Sequence, residues 1–264
     1  YVQSTADDAA WEGHLGGQRS TAFPHAVLQA YKNKHTLIRS TPFGNTLTLD
    51  FAKAAIDAYR LGNNPANVPD FLTINCASTD YVGHMFGVNA VETEDTYLRL
   101  DKDLAAFCKN LDDKVGKGNY LVFLTADHGA THAVNFNKAH NLPAGFWRQG
   151  DFKNRINQML EKKFKADNLV LSVSEYQVNF NIPKIESKNL DLEGIKQQTV
   201  EMLRKDPSVL FAVDMDHIND VPIPEVIKTK IINGYNYKRS GMVIAIPISG
   251  WLQAQPTGTS HGEW

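Results

Sequence analysis

Residues 120–129 read Tyr-Leu-Val-Phe-Leu-Thr-Ala-Asp-His-Gly, and this stretch joins a structural signal to a chemical one. Its first six residues are apolar or β-branched and lack helical spacing, which is typical of a strand buried on both faces. A turn is predicted just before it, at residues 116–119. Asp127 and His128 therefore follow directly on the end of a predicted strand.

A second apolar run lies upstream, where residues 71–77 read Phe-Leu-Thr-Ile-Asn-Cys-Ala, and it also predicts a buried strand. Between the two runs, helical spacing of apolar residues predicts a helix that begins near Asn89 and Glu92, which stand in capping-box spacing. A strand, a helix and a strand joined by a crossover of this length form a parallel βαβ unit. The sequence thus predicts an α/β fold.

The chain is expected to divide into three segments. Residues 1–139 are predicted to belong to the α/β core. From residue 140 the order of helix, β-hairpin, helix and strand predicts a small α+β lobe, spanning residues 140–240 and inserted into the larger sheet. Residues 241–264 are expected to return to the core.

Composition narrows the classes of partner. With 264 residues, 42% of them apolar and 21% charged, the chain can bury a core and is unlike a disordered protein. A formal net charge of −2 gives no electrostatic basis for binding nucleic acid or an anionic membrane. No apolar stretch approaches the roughly 18–20 residues of a membrane helix. The sequence predicts neither nucleic acid nor membrane as a partner, and it does not indicate an oligomeric state.

The two cysteines, Cys76 and Cys108, lack the CxxC spacing of a metal or redox motif. We interpret both as buried free thiols, because an isolated cysteine behaves as a small apolar residue. A disulfide between them stays open, since it would require their Cα atoms to lie within about 7 Å. The sequence begins at Tyr1 without a basic and then apolar leader, so it does not itself indicate a compartment.

Five side chains are candidate metal ligands. The carboxyl ends of parallel strands meet at one rim of a sheet, so Asp80 is expected beside Asp127 and His128. A loop that turns at its glycine would direct Asp80 and His84 to one ion, and zinc accepts carboxylate oxygen and imidazole nitrogen. His261 lies between glycines in Gly-Thr-Ser-His-Gly, a setting that suits close backbone approach. Each motif alone occurs by chance, but their combination favours a metal site.

Two further histidines, His132 and His140, follow the Asp-His-Gly segment. One interpretation is that they orient the ligands through hydrogen bonds. The alternative is that they are surface or capping histidines without a part in the site.

The candidate ligands lie in segments that resemble the alkaline phosphatase superfamily, on its nucleotide pyrophosphatase/phosphodiesterase-like side and, more narrowly, the bacterial PafA-type alkaline phosphatases. The resemblance covers nearly the whole chain. The segments that carry it are 41–49, 78–84, 94–101, 125–129, 232–236 and 258–261. It implies an alkaline-phosphatase-like α/β fold with a largely parallel sheet flanked by helices, and it implies that this fold is incomplete in the chain.

The resemblance also implies a centre of two zinc ions. Asp80, His84 and His261 match the ligands of the first zinc, and Asp127 and His128 match two ligands of the second. The family adds an aspartate and a nucleophilic threonine, both expected upstream of this chain, so no catalytic residue is assigned within it. We therefore expect the chain alone to be inactive and to hold at most one zinc.

The function implied is hydrolysis of small-molecule phosphate monoesters through a phospho-threonine intermediate, in the bacterial periplasm or after secretion. A phosphodiesterase or nucleotide pyrophosphatase is the alternative, because the phosphate contacts that discriminate the two are expected upstream. The sulfatase branch of the superfamily is disfavoured, since neither cysteine lies in a suitable motif. A third possibility, for the chain by itself, is an inactive binding or structural module.

Overall fold

The computed structural model describes residues 2–32, 34–66 and 68–261, and these residues form two compact units. The first unit comprises Tyr1–Leu142 together with Ala254–Glu263. The second comprises Pro143–Gln253. All five candidate ligands belong to the first unit.

Helices provide the regular structure of the first unit. They are α1 (Val27–Tyr31), α2 (Phe43–Tyr59), α3 (Ser78–Phe86), α4 (Val91–Leu111) and α5 (Val134–Ala139), with 3-10 turns at Leu15–Gly17 and His35–Ser40 and a π turn at Asp112–Gly116. One core cluster joins α2 to α4 through Leu49, Ile56 and Phe107. A second cluster holds α3 through Val82 and Phe86.

Neither apolar run that predicted a buried strand forms one in the described chain. Residues 71–77 and 120–125 belong to no ladder, and the exposed fractions of Phe71 and Phe123 are 88% and 81%. A strand needs backbone partners alongside it, and the ladders among the described residues lie elsewhere. The two strand predictions are therefore wrong for the chain as described.

Two local predictions in this unit are also wrong. Asp80 and His84 do not flank a turn at Gly83, because the segment folds as the continuous helix α3. The capping box fails as well, since α4 begins after Ala90 without a side-chain cap. The Glu92 carboxylate contacts His25 Nε2 at 2.7 Å instead.

The second unit is a four-stranded antiparallel sheet packed against helices. Its elements are β1 (Gly145–Phe146), α6 (Gln149–Phe164), β2 (Val170–Ser174), β3 (Gln177–Phe180), α7 (Ile182–Ser187), α8 (Leu192–Arg204), β4 (Val209–Asp214), α9 (Glu225–Gly234), β5 (Val243–Pro247) and β6 (Trp251–Leu252). The strand order is β2-β3-β5-β4, and every neighbouring pair is antiparallel. Ile156, Leu160 and Ile195 are fully buried in its core. The predicted order of helix, hairpin, helix and strand is observed.

The return of the chain to the first unit comes later than expected. We predicted it at residue 241, but β5 pairs with both β3 and β4 and so lies inside the sheet of the second unit. Beyond β5, strand β6 pairs in parallel with β1, which also keeps it in this unit. The chain re-enters the first unit at Ala254.

Cys76 and Cys108 are free and half-buried, so no disulfide joins them. Burial, followed by the negative charge of Asp103, raises the pKa of the Cys76 thiol. Among the described helices, none combines the length and the apolar character that crossing a bilayer requires.

Candidate metal centre

Asp80 and His84 lie one turn apart on α3, and their side chains approach each other. The Asp80 Oδ2 atom lies 3.2 Å from His84 Nε2. Because residues four apart share one face of a helix, this pairing follows from the helix itself. Val82 and Phe86, about 200° further round, are buried and anchor the opposite face. The helix thus presents one carboxylate and one imidazole as a preset pair.

A backbone contact fixes the orientation of the His84 ring. Its Nδ1 atom lies 2.8 Å from the Thr259 carbonyl oxygen. A carbonyl oxygen can only accept, so Nδ1 carries the proton and donates it in this contact. Nε2, which faces Asp80, is then the nitrogen with a free lone pair, as a metal ligand requires.

Several hydrogen bonds position the loop that carries His261. The Gly258 amide donates to the Trp11 carbonyl, and the Thr259 amide donates to the His84 carbonyl at 3.1 Å. The Thr259 hydroxyl donates to the Thr131 carbonyl at 2.7 Å. Gly258 has φ +71°, and a Cβ atom there would lie 1.9 Å from the His84 carbonyl oxygen. Only glycine fits this close approach.

Asp127 and His128 form the exposed part of the cluster. The Asp127 side chain is 90% exposed and its Oδ2 lies 3.6 Å from His128 Nε2. The His128 Nδ1 atom lies 2.9 Å from the Gly129 carbonyl, which again leaves Nε2 as the nitrogen available to a ligand. The strand predicted before this segment does not form, but the Gly129 carbonyl still orients the His128 imidazole.

His261 brings the two halves together. Its ring centroid lies 5.3 Å from that of His84 and 4.0 Å from that of His128. One donor atom from each of Asp80, His128 and His261 lies within 4.8 Å of the other two. The resemblance groups His261 with Asp80 and His84, whereas by ring distance it lies closer to His128. His84 and Asp127 adjoin this group through their contacts with Asp80 and His128.

The donor set fits zinc. A tetrahedral zinc with ligands at about 2.0–2.2 Å places neighbouring donor atoms about 3.3–3.6 Å apart. The separations within the Asp80–His84 pair, 3.2 Å, and the Asp127–His128 pair, 3.6 Å, are close to this range. Imidazole nitrogens with carboxylate oxygens, and no thiolate, are typical of catalytic rather than structural zinc sites.

His132 and His140 make their contacts around Phe136. The His132 ring stacks on Phe136 at 4.8 Å and its Nδ1 lies 2.7 Å from the Asn89 side-chain oxygen. The His140 ring also stacks on Phe136, with 4.1 Å between the ring centroids, and its Nδ1 lies 2.8 Å from the Phe136 carbonyl oxygen. None of the hydrogen bonds that the described residues give these rings reaches one of the five candidate ligands.

Sequence reasoning missed the residues that hold the ligands in place. Thr259 and Thr131 connect the loop to α3 and to the segment after Gly129, and nothing in their spacing announces these bonds. Gly258 could be noticed in the sequence, because a glycine in the polar turn before His261 indicates a constraint on the backbone. The tertiary contact that requires it, with the His84 carbonyl, is visible in the fold alone.

Comparison with known proteins identifies the family. The family model of type I phosphodiesterases / nucleotide pyrophosphatases matches residues 4–263. The chain belongs to that family.

Two curated relatives are alkaline phosphatases by name. The chain is 50% identical to the alkaline phosphatase PafA of Elizabethkingia meningoseptica over all of its length and 48% of that protein. It is 43% identical to the alkaline phosphatase PhoV of Synechococcus elongatus, again over all of its length and 47% of that protein. The chain thus spans about half the length of the curated relatives it matches.

A solved structure confirms the fold class. The crystal structure of wild-type PafA matches 98% of this chain with a TM-score of 0.93 and 49% sequence identity, and the match covers 49% of that structure. The α/β, alkaline-phosphatase-like fold expected from the sequence is therefore confirmed.

Proposed function

We propose that the chain supplies the zinc ligands of a phosphoric ester hydrolase of the alkaline phosphatase type. The observation that carries the proposal is the convergence of Asp80, His128 and His261, whose donor atoms lie within 4.8 Å of one another. The named alkaline phosphatases among its relatives support the reaction class. Zinc in such a site supplies positive charge that stabilises the transferring phosphoryl group and lowers the pKa of bound water.

The residues of the chain itself bind and orient. Asp80 and His84 present a pair of donors preset by α3, and Thr259 holds the proton of His84 on Nδ1. Asp127, which is largely exposed, faces solvent from which a phosphate ester can approach. We assign Asp80, His84 and His261 to one zinc and Asp127 and His128 to a second, following the family resemblance.

The phosphoryl acceptor is proposed to be a threonine outside this chain. The threonines within two positions of a candidate ligand support this, because their hydroxyls are already engaged with backbone carbonyls. Thr79 donates to the Cys76 carbonyl at 2.9 Å, and Thr259 donates to the Thr131 carbonyl at 2.7 Å. A hydroxyl that donates its proton to a carbonyl is not poised to transfer it to a general base.

Phosphate monoesters are the proposed substrates, and phosphodiesters are the alternative. The family model covers phosphodiesterases, while the curated relatives named above are alkaline phosphatases. Both activities use the same kind of metal centre, so the five ligands do not separate them. A location in the bacterial periplasm or outside the cell is proposed on the resemblance alone.

Zinc binding by the chain tests the site. Equilibrium dialysis followed by metal analysis is expected to find at most one tightly held zinc per chain and no release of phosphate. The variants Asp80→Asn and His84→Ala are expected to lose that zinc, whereas His217→Ala, a 60% exposed histidine of the second unit, should retain it. Two tightly held zinc ions with turnover would contradict the assignment.

Turnover by the whole protein tests the reaction. With zinc present, it is expected to release 4-nitrophenol from 4-nitrophenyl phosphate faster than from bis(4-nitrophenyl) phosphate. The opposite preference would favour the phosphodiesterase alternative. No turnover of either ester in a zinc-loaded, folded protein would exclude the proposed function.

A further inference from the structure

A second group of acidic side chains in the first unit shares no residue with the five candidate ligands. It consists of Asp7, Glu12 and Glu92, and one carboxylate oxygen from each lies within 4.8 Å of the other two. Glu12 and Glu92 are buried, with exposed fractions of 1% and 5%, while Asp7 is exposed. The proposed function uses none of these three carboxylates.

Each buried carboxylate has one oxygen that is bonded and one that is not. Glu12 Oε2 accepts a hydrogen bond from the Ala9 amide at 2.9 Å, and Glu92 Oε1 lies 2.7 Å from His25 Nε2. Glu12 Oε1 and Glu92 Oε2 are buried and have no partner among the described residues. A buried carboxylate oxygen without a partner is costly, so two of them in one cluster indicate a missing positive ligand.

Among the described salt bridges, His25 is the positive partner of this cluster, through Glu92. His25 contributes at most one charge against three carboxylates, and its Nδ1 faces the Gln18 side-chain oxygen at 3.4 Å. Burial, and then the charges of Glu92 and Asp7, raise the pKa of the Glu12 carboxyl to about 7. Below pH 7 a proton can therefore neutralise Glu12. Above pH 7 the Glu12 carboxylate is ionised, and the negative charge of the cluster exceeds the charge that His25 can balance.

The donor atoms select the class of ligand. They are carboxylate oxygens, which suit a hard cation, while both nitrogens of His25 are already engaged, Nε2 by Glu92 and Nδ1 by Gln18. Oxygens that share one calcium ion at about 2.3–2.6 Å lie no more than about 5 Å apart, as these do. We propose that Asp7, Glu12 and Glu92 form a binding site for a hard divalent cation of the calcium or magnesium class, separate from the zinc ligands.

In a third acidic group, a lysine of the protein itself supplies the positive charge. Glu193, Asp214 and His217 of the second unit have a similar spacing. There the ammonium of Lys196, 1% exposed, contacts Glu193 at 2.8 Å and Asp214 at 3.1 Å. No lysine or arginine makes an ion pair with Asp7, Glu12 or Glu92 among the described salt bridges.

Calorimetric titration of the zinc-loaded protein at pH 8 tests the site, with calcium chloride and magnesium chloride in separate runs. One calcium or magnesium ion per chain is expected to bind. Glu12→Gln and Glu92→Gln, which keep the side-chain shape, are expected to weaken that binding by at least 10-fold. Asp50→Asn makes the same charge change at a 61% exposed position and should not affect it.

The zinc cluster provides a second, opposite control. Asp80→Asn is expected to lower zinc content and leave the calcium or magnesium affinity unchanged, and Glu12→Gln should do the reverse. In parallel, the ion that binds, at about 100 times its dissociation constant, should raise the melting temperature of the wild type by about 5 °C or more, and that of Glu12→Gln much less.

Failure of the wild type to bind either ion at millimolar concentration would overturn the proposal without reference to any variant. So would equal affinity in Glu12→Gln, Glu92→Gln and the wild type. If a glutamine variant does not fold, Glu12→Asp retains the charge, displaces the oxygen and is expected to weaken binding. None of these outcomes depends on phosphatase activity.

Discussion

The Nδ1 atom of His84 and the carbonyl oxygen of Thr259 lie 2.8 Å apart, although 175 positions separate the two residues in sequence. This contact fixes which nitrogen of His84 faces Asp80, and it places the loop that carries His261. The geometry of the zinc ligands therefore depends on backbone atoms of a loop far away in the sequence. Gly258, which begins that loop, offers the first test.

Replacing Gly258 by alanine is expected to disturb both stability and zinc binding. The added Cβ would lie 1.9 Å from the His84 carbonyl oxygen, and φ at this position is +71°. We expect a loss of about 2 kcal/mol or more in the free energy of unfolding, with weaker zinc binding. Gly118→Ala is the control, because φ is +87° there and nothing lies within 4 Å. It should cost about 1 kcal/mol and leave zinc binding unchanged. Equal zinc affinities would show that the loop tolerates displacement.

His132 and His140 are expected to matter less than the ligands. Because His132 bonds Asn89 and stacks on Phe136, His132→Ala should weaken zinc binding by less than about 10-fold. His261→Ala should weaken it by more than about 100-fold, beyond the range of residues that merely orient a ligand. Competition against a zinc-sensitive dye measures both constants. A larger loss in His132→Ala than in His261→Ala would reverse the assignment.

The exposed apolar run at 121–124 is expected to make the isolated chain self-associate. Leu121, Phe123 and Leu124 are 77–81% exposed and adjacent in sequence, so they present an apolar patch to solvent. Phe123→Lys should reduce both dye binding to apolar surface and the apparent mass in light scattering. Since the side chain is exposed, the free energy of unfolding should change by less than about 0.5 kcal/mol. A marked loss of stability would show that Phe123 packs against the fold.

Asp206 is expected to give the second unit a pH-dependent stability. Burial raises the pKa of its carboxyl, but hydrogen bonds from the Ser208 hydroxyl and amide, and the Arg155 guanidinium 2.7 Å away, lower it more. A lowered pKa in the folded state stabilises the fold above the unfolded pKa, near 3.8, and this stability is lost as pH falls through the folded value. Asp206→Asn should therefore cost about 2 kcal/mol at pH 7, and this cost should shrink as pH falls below 3.8.

The control for this measurement is Asp167→Asn. Its carboxyl also has a lowered pKa, caused first by the hydrogen bond from Lys184, but its side chain is 70% exposed. An exposed ion pair contributes little to stability because solvent screens it. Urea unfolding at pH 3 and pH 7 should show the large difference for Asp206→Asn alone.

The sequence nominated the candidate ligands, but it did not predict how they are held. The residue types and their order along the chain pointed to Asp80, His84, Asp127, His128 and His261. The sequence did not reveal that α3 brings Asp80 and His84 together, because its helical register was interpreted as a turn at a glycine. Nor could it show the bonds of Thr259, which depend on tertiary contact.

Secondary structure was predictable where partners are local. The antiparallel β2–β3 hairpin and the helices α6 and α8 form as expected, because their hydrogen bonds and buried faces lie within the second unit. The runs at 71–77 and 120–125 had strand composition, but composition does not supply a neighbouring strand.

The pairing of Asp80 with His84 on one helix has a kinetic consequence. These two donors meet as soon as α3 forms, an event of about a microsecond that involves no distant contact. His261 joins them after the whole second unit, residues 143–253, has been closed into a loop, which costs far more chain entropy. The Asp80–His84 pair could therefore hold a metal ion before the rest of the site exists. Binding of His261 to that ion would then report that the chain between the ligands has folded.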